Sequence, residues 1–189
     1  MHSTIRILRS EHAALVTLLR AAAAQLAQSR QQGRPPDFAL LRAMLFYIDE
    51  FPEHHHHPRE SDLLFPRLRA RTPLARSLLD RLDEDHLRGG ARIRDLEHAL
   101  VAFEILGESR RAAFEGAFER YVDFSLIHMS LEEREVFPLA AHVLQERDWQ
   151  ELDAEFVASR DPLAGAEPED AYRALFDRIR AHLPRLDAT

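Results

Sequence analysis

Apolar residues recur every three or four positions along most of this chain, which is the period of an α-helix with one buried face. The first such stripe is formed by Ile5, Leu8, His12, Leu15 and Leu19. We predict that this helix begins after a cap at Ser3 or Thr4 and ends near Arg30. No stretch alternates apolar and polar residues over the length of a strand. The pattern therefore predicts an all-α fold.

A second helix is predicted after the polar loop at residues 31–36, with Asp37 as its cap. Its stripe continues to about Arg71. Pro52 and Pro58 interrupt it, and each removes a backbone hydrogen bond and clashes with the preceding turn. Because the apolar phase resumes at Leu64, we expect one kinked helix rather than two separate ones.

Two more long helices follow. Thr72 is a cap residue with Pro73 at the first helical position, and the third helix is predicted to end at Gly107. Gly89 and Gly90 lie in its middle, where each glycine costs roughly 1 kcal/mol relative to alanine. Such a cost indicates close packing or a bend. The fourth helix is predicted over residues 109–145.

The four long helices are predicted to form one domain over residues 1–146. Residues 147–189 are predicted to form a short helical C-terminal extension, with an apolar face that includes Phe156, Tyr172 and Phe176. This extension either packs on the bundle or makes a contact in a homodimer.

The amino-acid composition argues against several classes of site and of binding partner. Of the 189 residues, 46% are hydrophobic and 30% charged, which is typical of a soluble globular protein. The absence of cysteine excludes disulfides, zinc–thiolate sites and cysteine nucleophiles. A net charge of −7, without a basic stripe, argues against nucleic-acid binding. No apolar run has the length of a membrane span and no signal sequence is evident, so we expect no membrane association and a cytoplasmic location.

One pattern occurs twice. His56 and Glu60 are followed by Phe-Pro at residues 65–66, and His128 and Glu132 by Phe-Pro at residues 137–138. The two copies are 72 residues apart. On a helix, positions i and i+4 share one face, so each imidazole can reach the same point as its carboxylate. The two Phe-Pro pairs are expected to form an apolar wall and a kink.

Each copy is preceded by a lone histidine that follows an acidic residue, at His12 and His86, 74 residues apart. A carboxylate that faces a core is costly without a partner. Four histidines and two glutamates in phase therefore predict a site for two metals, and imidazole with carboxylate suits iron, manganese or zinc. Two shared carboxylates would bridge metals roughly 3.5–4 Å apart.

The other histidines and acidic residues near these patterns are not predicted to bind metal. His54, His55 and His57 are expected to lie outside the ligand set, as supporting, solvent-facing or idle residues. Glu133 is expected to face solvent, although it is a possible replacement for Glu132.

The two His-x-x-x-Glu patterns with their lone histidines resemble the hemerythrin-like, or HHE cation-binding, domain family over residues 3–145. The resemblance implies an up-down-up-down four-helix bundle with a non-haem diiron centre. The implied ligands are His12, His56, Glu60, His86, His128 and Glu132, of which Glu60 and Glu132 match the bridging carboxylates. Zinc or manganese are possible substitutes for the two iron ions.

The chain departs from the oxygen-carrying hemerythrins of this family at two positions. They have an additional histidine one turn after the third-helix ligand, where this chain has Gly90, and they place the last carboxylate at the position of Glu133. The resemblance is therefore to the branch with two histidines per iron. We expect the missing side chain at Gly90 to leave the centre open to exogenous ligands.

The preferred functional hypothesis is a non-enzymatic protein that binds oxygen or nitric oxide for sensing, storage or stress protection. A carboxylate diiron oxidase is one alternative, but it requires Glu-x-x-His on two helices. Only Glu53 and His56 fit that pattern. The other alternative is a regulatory or interaction bundle that uses metal for folding.

Overall fold

Every regular element is helical within residues 2–158 and 161–183, the ranges described by this computed structural model. The predicted all-α class is therefore confirmed. In these ranges no helix combines the length and the apolar character that a membrane crossing requires.

The first helix, α1 (Ser3–Gln31), begins differently from the prediction. Ser3 and Thr4 do not cap it with their own side chains. Instead, their backbone N–H groups donate to the carboxylate of Asp153, at 3.1 and 2.7 Å, and the Thr4 hydroxyl donates to the same group at 2.7 Å. The acceptor that satisfies the free N–H groups of this helix end comes from a distant part of the chain.

The second helical stretch is continuous from residue 38 to 71, as predicted. It consists of α2 (Phe38–Ile48), the π-helical segment π1 (Asp49–His56), α3 (His57–Arg59), the π-helical segment π2 (Glu60–Leu64) and α4 (Phe65–Arg71). Asp37 caps it by accepting a hydrogen bond from the Leu40 N–H at 2.9 Å. Because a π turn contains an additional residue, it accommodates prolines that would clash in a regular α-helical turn. Pro52 lies inside π1, and Pro66 directly follows the first residue after π2.

The third stretch begins with the predicted Thr72 cap, whose hydroxyl accepts from the Leu74 N–H at 3.2 Å. Pro73 opens a short 3₁₀ turn, and α5 (Arg76–Leu106) follows. Gly107 ends α5 with a φ of 77°, a conformation that favours glycine. The fourth stretch consists of α6 (Arg111–Leu131), the π-helical segment π3 (Glu132–Val136) and α7 (Phe137–Val143).

Two clusters of buried apolar side chains hold these stretches together. Core 1 takes its long-helix residues from 14–26, 40–48, 93–103 and 114–129, and core 2 from 5–8, 64–68, 75–82 and 136–144. The first and third stretches run from core 2 to core 1, and the second and fourth run from core 1 to core 2. On every stretch the predicted site residues lie where one core gives way to the other.

The C-terminal segment contributes to both cores. Helix α8 (Glu146–Ala158) packs against α1, and its Trp149, Leu152 and Phe156 belong to core 2. Helix α9 (Arg173–Arg180) packs against α2, and its Phe176 and Ile179 belong to core 1. The division of the chain at residue 146 into a bundle and an extension stays a prediction.

Candidate metal centre

The six predicted ligands are brought together at the boundary between the two cores. Their ligand atoms form two overlapping sets, each with all atoms within 4.8 Å of one another. The first set is His12, His56, Glu60 and Glu132, and the second set is Glu60, His86, His128 and Glu132. Glu60 and Glu132 belong to both sets. The spacing found in the sequence therefore produces the shared carboxylates that a two-metal site requires.

Glu132 faces imidazoles of both sets. Its Oε2 lies 3.3 Å from His12 Nε2, and its Oε1 lies 3.2 Å from His128 Nε2 and 3.6 Å from His86 Nε2. Its side chain is fully buried. The two oxygens of this carboxylate are thus in position to contact two different cations.

Glu60 has the corresponding position on the second helical stretch. Its Oε2 lies 3.4 Å from His56 Nε2 and 3.6 Å from His86 Nε2, and it too is fully buried. Within the described residues, none of the four oxygens of Glu60 and Glu132 has a hydrogen-bond partner. Buried ionised carboxylates without hydrogen bonds are expensive unless cations neutralise them. This set of donors therefore fits divalent metal ions.

The outer nitrogens of two site histidines are held by carboxylates. His12 Nδ1 lies 2.9 Å from Glu133 Oε1, and His56 Nδ1 lies 2.7 Å from Glu11 Oε2. A carboxylate only accepts hydrogen bonds, so each Nδ1 carries the proton and each Nε2 presents its lone pair to the centre. Arg59 donates to both oxygens of Glu11, at 2.7 and 2.8 Å.

His86 is oriented through a hydroxyl group. Ser61 Oγ donates a hydrogen bond to Asp83 at 2.6 Å and lies 2.8 Å from His86 Nδ1, so it accepts a hydrogen bond from the His86 Nδ1–H group. His128 Nδ1 lies 3.8 Å from Asp85, too far for a hydrogen bond, and has no hydrogen-bond partner among the described residues. Outer hydrogen bonds such as those of His12, His56 and His86 are typical of metal-ligating histidines, because they fix both the tautomer and the ring direction.

Charges within the centre shift its pKa values strongly. Burial alone would lower the pKa of His128, but the charge of Glu132 and the contact with Asp85 outweigh it and raise the pKa to about 10. Burial would raise the pKa of Glu11, whereas its hydrogen bond with His56 and the charge of Arg59 lower it to about 2. Burial would also raise the pKa of Glu132. The charge of His128 and the contacts with His12 and His86 outweigh burial and lower this pKa well below its ordinary value.

Glu132, rather than Glu133, is the residue that the structure brings into both sets. Glu133 lies beside it with 40% of its side chain exposed and contacts the outer nitrogen of His12. The expectation that Glu133 faces solvent therefore holds only in part, because this side chain also supports a site histidine.

The Phe-Pro pairs form the expected apolar wall. Phe65 stacks on His86 with ring centroids 5.6 Å apart, and Phe137 stacks on His12 at 5.7 Å. Both phenylalanines are buried. Each follows a π-helical segment that begins at a shared glutamate, so the repeated sequence produces the same local structure twice.

His57 is the residue whose position the sequence did not indicate. It is buried, its ring stacks on that of His86 at 4.3 Å, and its ligand atom lies within 4.8 Å of those of His86 and His128. Burial lowers the pKa of His57 to about 3, against its hydrogen bond with Glu53. The signal available in the sequence was Glu53, an acidic residue one helical turn before His57. His54, by contrast, is exposed.

Gly90 does not have the position that the sequence led us to expect. Among the described residues, a Cβ built there would meet only the Arg94 side chain within 4 Å, at 3.4 Å. Its neighbour Gly89 is the glycine that faces the interior, toward Glu53. The structure thus gives no support for an opening in the centre at Gly90.

Comparison with known families agrees with this geometry. The family model described as Hemerythrin HHE cation binding domain matches residues 3–140, which is more than two thirds of the chain. No curated protein and no solved structure matches the chain.

Proposed function

This chain belongs to the hemerythrin HHE cation-binding domain family, and from that premise we propose that it holds a non-haem diiron centre that binds oxygen or nitric oxide. The observation that carries the proposal is the position of Glu60 and Glu132. Both are fully buried, lack hydrogen-bond partners among the described residues, and face histidines of both sets. Two cations bridged by these carboxylates would neutralise them.

We also propose that the four helical stretches pack as an up-down-up-down bundle around the centre. The support is their alternating direction between core 2 and core 1. With this arrangement each stretch presents its site residues at the same height, because they all lie where the two cores meet.

The proposed ligands are His12 and His56 for one ion and His86 and His128 for the other, with Glu60 and Glu132 shared. Histidine and carboxylate suit iron, and zinc or manganese can bind the same donors. When bound, an iron pair supplies redox-active positions for small ligands such as oxygen, nitric oxide or azide. The chain orients the imidazoles through Glu11, Glu133 and Ser61, and the buried rings of Phe65 and Phe137 stack on His86 and His12.

A binding role, in sensing, storage or stress protection, is favoured over an oxidase. The carboxylate diiron oxidases use glutamates of Glu-x-x-His patterns as ligands. Here the candidate glutamate, Glu53, instead contacts His57 and Tyr121, at 3.1 and 2.8 Å. It lies in none of the described ligand sets.

The test is anaerobic loading with ferrous iron, followed by metal analysis and visible spectroscopy. We expect two irons per chain and a spectral change on addition of oxygen, nitric oxide or azide. A matched pair of variants separates specific from adventitious iron: Glu60→Gln should abolish stoichiometric binding, whereas Glu135→Gln, at an exposed position of π3, should not. One iron or none in the wild type would contradict the diiron centre. A protein with two irons whose visible spectrum does not change with oxygen, nitric oxide or azide would contradict the gas-binding role.

A further inference from the structure

We infer that His57 is a seventh protein ligand, bound to the same metal ion as His86 and His128. The inference rests on the proposed function, since it assigns an additional residue to that centre. It implies that the two metal ions have unequal ligand sets, with three imidazoles on one and two on the other.

The first argument is the position of the ring. His57, His86 and His128 present ligand atoms that all lie within 4.8 Å of one another, as do those of the two sets that contain the shared carboxylates. The His57 ring is nearly parallel to that of His86, at an angle of 11°, and its centroid lies 5.3 Å from that of His128. Three imidazoles, those of His57 and His128 buried and that of His86 half-buried, thus converge at one side of the centre.

The second argument is the support that the ring receives from outside. His57 Nδ1 lies 3.1 Å from Glu53 Oε2, and Tyr121 donates its hydroxyl proton to Glu53 Oε1 at 2.8 Å. His57 is therefore held as His12 and His56 are, with a carboxylate on the outer nitrogen. This leaves Nε2 as the nitrogen available to a metal ion.

The third argument is the space that helix α5 gives to this support. A Cβ at Gly89 would lie 2.2 Å from Glu53 Oε2, closer than any real contact. Glycine at this position allows the carboxylate to stand between Tyr121 and His57. A histidine with no role beyond packing does not require this arrangement of a buried carboxylate, a buried tyrosine and a glycine in mid-helix.

An unequal centre has a consequence for exogenous ligands. The ion bound by His12 and His56 has one imidazole fewer, and a metal with fewer protein ligands takes up small molecules in the remaining positions. A small cavity of about 20 Å³ lies beside His12, His56 and His57, and its remaining lining residues are Glu11, Leu15, Pro52, Met129 and Asp161. Neither His86 nor His128 lines it. Azide or nitric oxide should therefore bind at the ion held by His12 and His56.

The experiment compares wild type, His57→Ala and His54→Ala, each loaded with iron-57. His54 belongs to the same run of histidines but is exposed, so it is the matched control. Mössbauer spectra of the wild type should contain two distinct iron environments, of which azide changes one. In His57→Ala the environment that azide leaves unchanged in the wild type should shift, and added imidazole should restore it. Iron affinity, measured by chelator competition, should fall at least about tenfold.

The outcomes separate the two proposals. A wild type without two irons contradicts the diiron centre itself. A wild type with two irons, together with a His57→Ala variant that keeps both Mössbauer signals and its affinity, contradicts the role of His57 alone. If His57→Ala does not fold, Glu53→Gln replaces it. This change keeps the size of the side chain but removes the negative charge that supports His57 Nδ1. It should therefore shift the same iron signal. An unchanged signal in this variant would overturn the inference.

Discussion

Glu53 occupies the space next to Gly89, so closely that a Cβ at position 89 would lie 2.2 Å from its Oε2. This contact explains why helix α5 contains a glycine at its middle despite the cost in helix stability. The requirement for glycine therefore lies at Gly89. At Gly90 a Cβ would meet, within the described part of the chain, only the end of the Arg94 side chain.

We predict that Gly89→Ala destabilises the protein whereas Gly90→Ala stabilises it. Alanine at 89 must displace Glu53 and break hydrogen bonds of a buried carboxylate, at roughly 1–3 kcal/mol each, which outweighs a gain in helix propensity of about 1 kcal/mol. Alanine at position 90 gives the same gain in helix propensity without displacing Glu53. Urea unfolding of the two metal-free variants measures both effects. Equal stabilities would show that the Glu53 side chain moves aside at no cost.

The shared carboxylates should control both metals, and a terminal histidine only one. Glu60→Ala and Glu132→Ala should each abolish binding of the two ions, because each carboxylate faces histidines of both sets. His12→Ala should retain one ion, since His12 belongs to the first set alone. Metal analysis at saturating iron gives the stoichiometry. Retention of one ion in both glutamate variants would exclude a bridging role.

Glu133→Ala should weaken the binding of metal without changing the number of ions bound. The Glu133 carboxylate contacts the outer nitrogen of His12 at 2.9 Å, and loss of such a support typically lowers metal affinity by about 10- to 100-fold. Glu135→Ala is the control, because Glu135 is exposed on the same segment. Chelator competition measures the affinities. Loss of an entire equivalent in Glu133→Ala would identify Glu133 as a direct ligand.

Asp153→Ala should destabilise the protein by about 1 kcal/mol, the usual effect of removing a helix cap. Asp153 accepts hydrogen bonds from the backbone of Ser3 and Thr4, whereas Glu155 on the same helix is exposed and serves as the control. Thermal unfolding of Asp153→Ala and Glu155→Ala near neutral pH measures the difference. A loss as large in Glu155→Ala would show that the effect belongs to α8 and not to the cap.

The contribution of Asp153 should also depend on pH. Burial would raise the pKa of Asp153, but hydrogen bonds from Thr4 and Ser3 outweigh it and lower the pKa below the ordinary value of 3.8. A lowered carboxyl pKa stabilises the folded state fully above the ordinary value, and this stability is lost as the pH falls through the folded-state pKa. The stability difference between wild type and Asp153→Ala should therefore shrink in strong acid. A difference that stays constant down to about pH 2 would contradict this account.

The sequence by itself determined the helices and the six residues that the structure gathers. Helical periodicity, the caps at Asp37 and Thr72, and the end at Gly107 all depend on residues a few positions apart, and these local rules were sufficient. The same holds for His56 with Glu60 and for His128 with Glu132. A spacing of four on a helix places both side chains on one face, whatever the helix packs against.

Only the tertiary structure decided the contacts between distant segments. The cap of α1 comes from Asp153, about 150 residues away, and the support of His57 combines Glu53, Tyr121 and Gly89 from three helical stretches. Helical periodicity gives the face of each residue but not the rotation of one helix against another. That rotation decided that Gly89, and not Gly90, faces the interior, and that His57 lies beside His86 and His128.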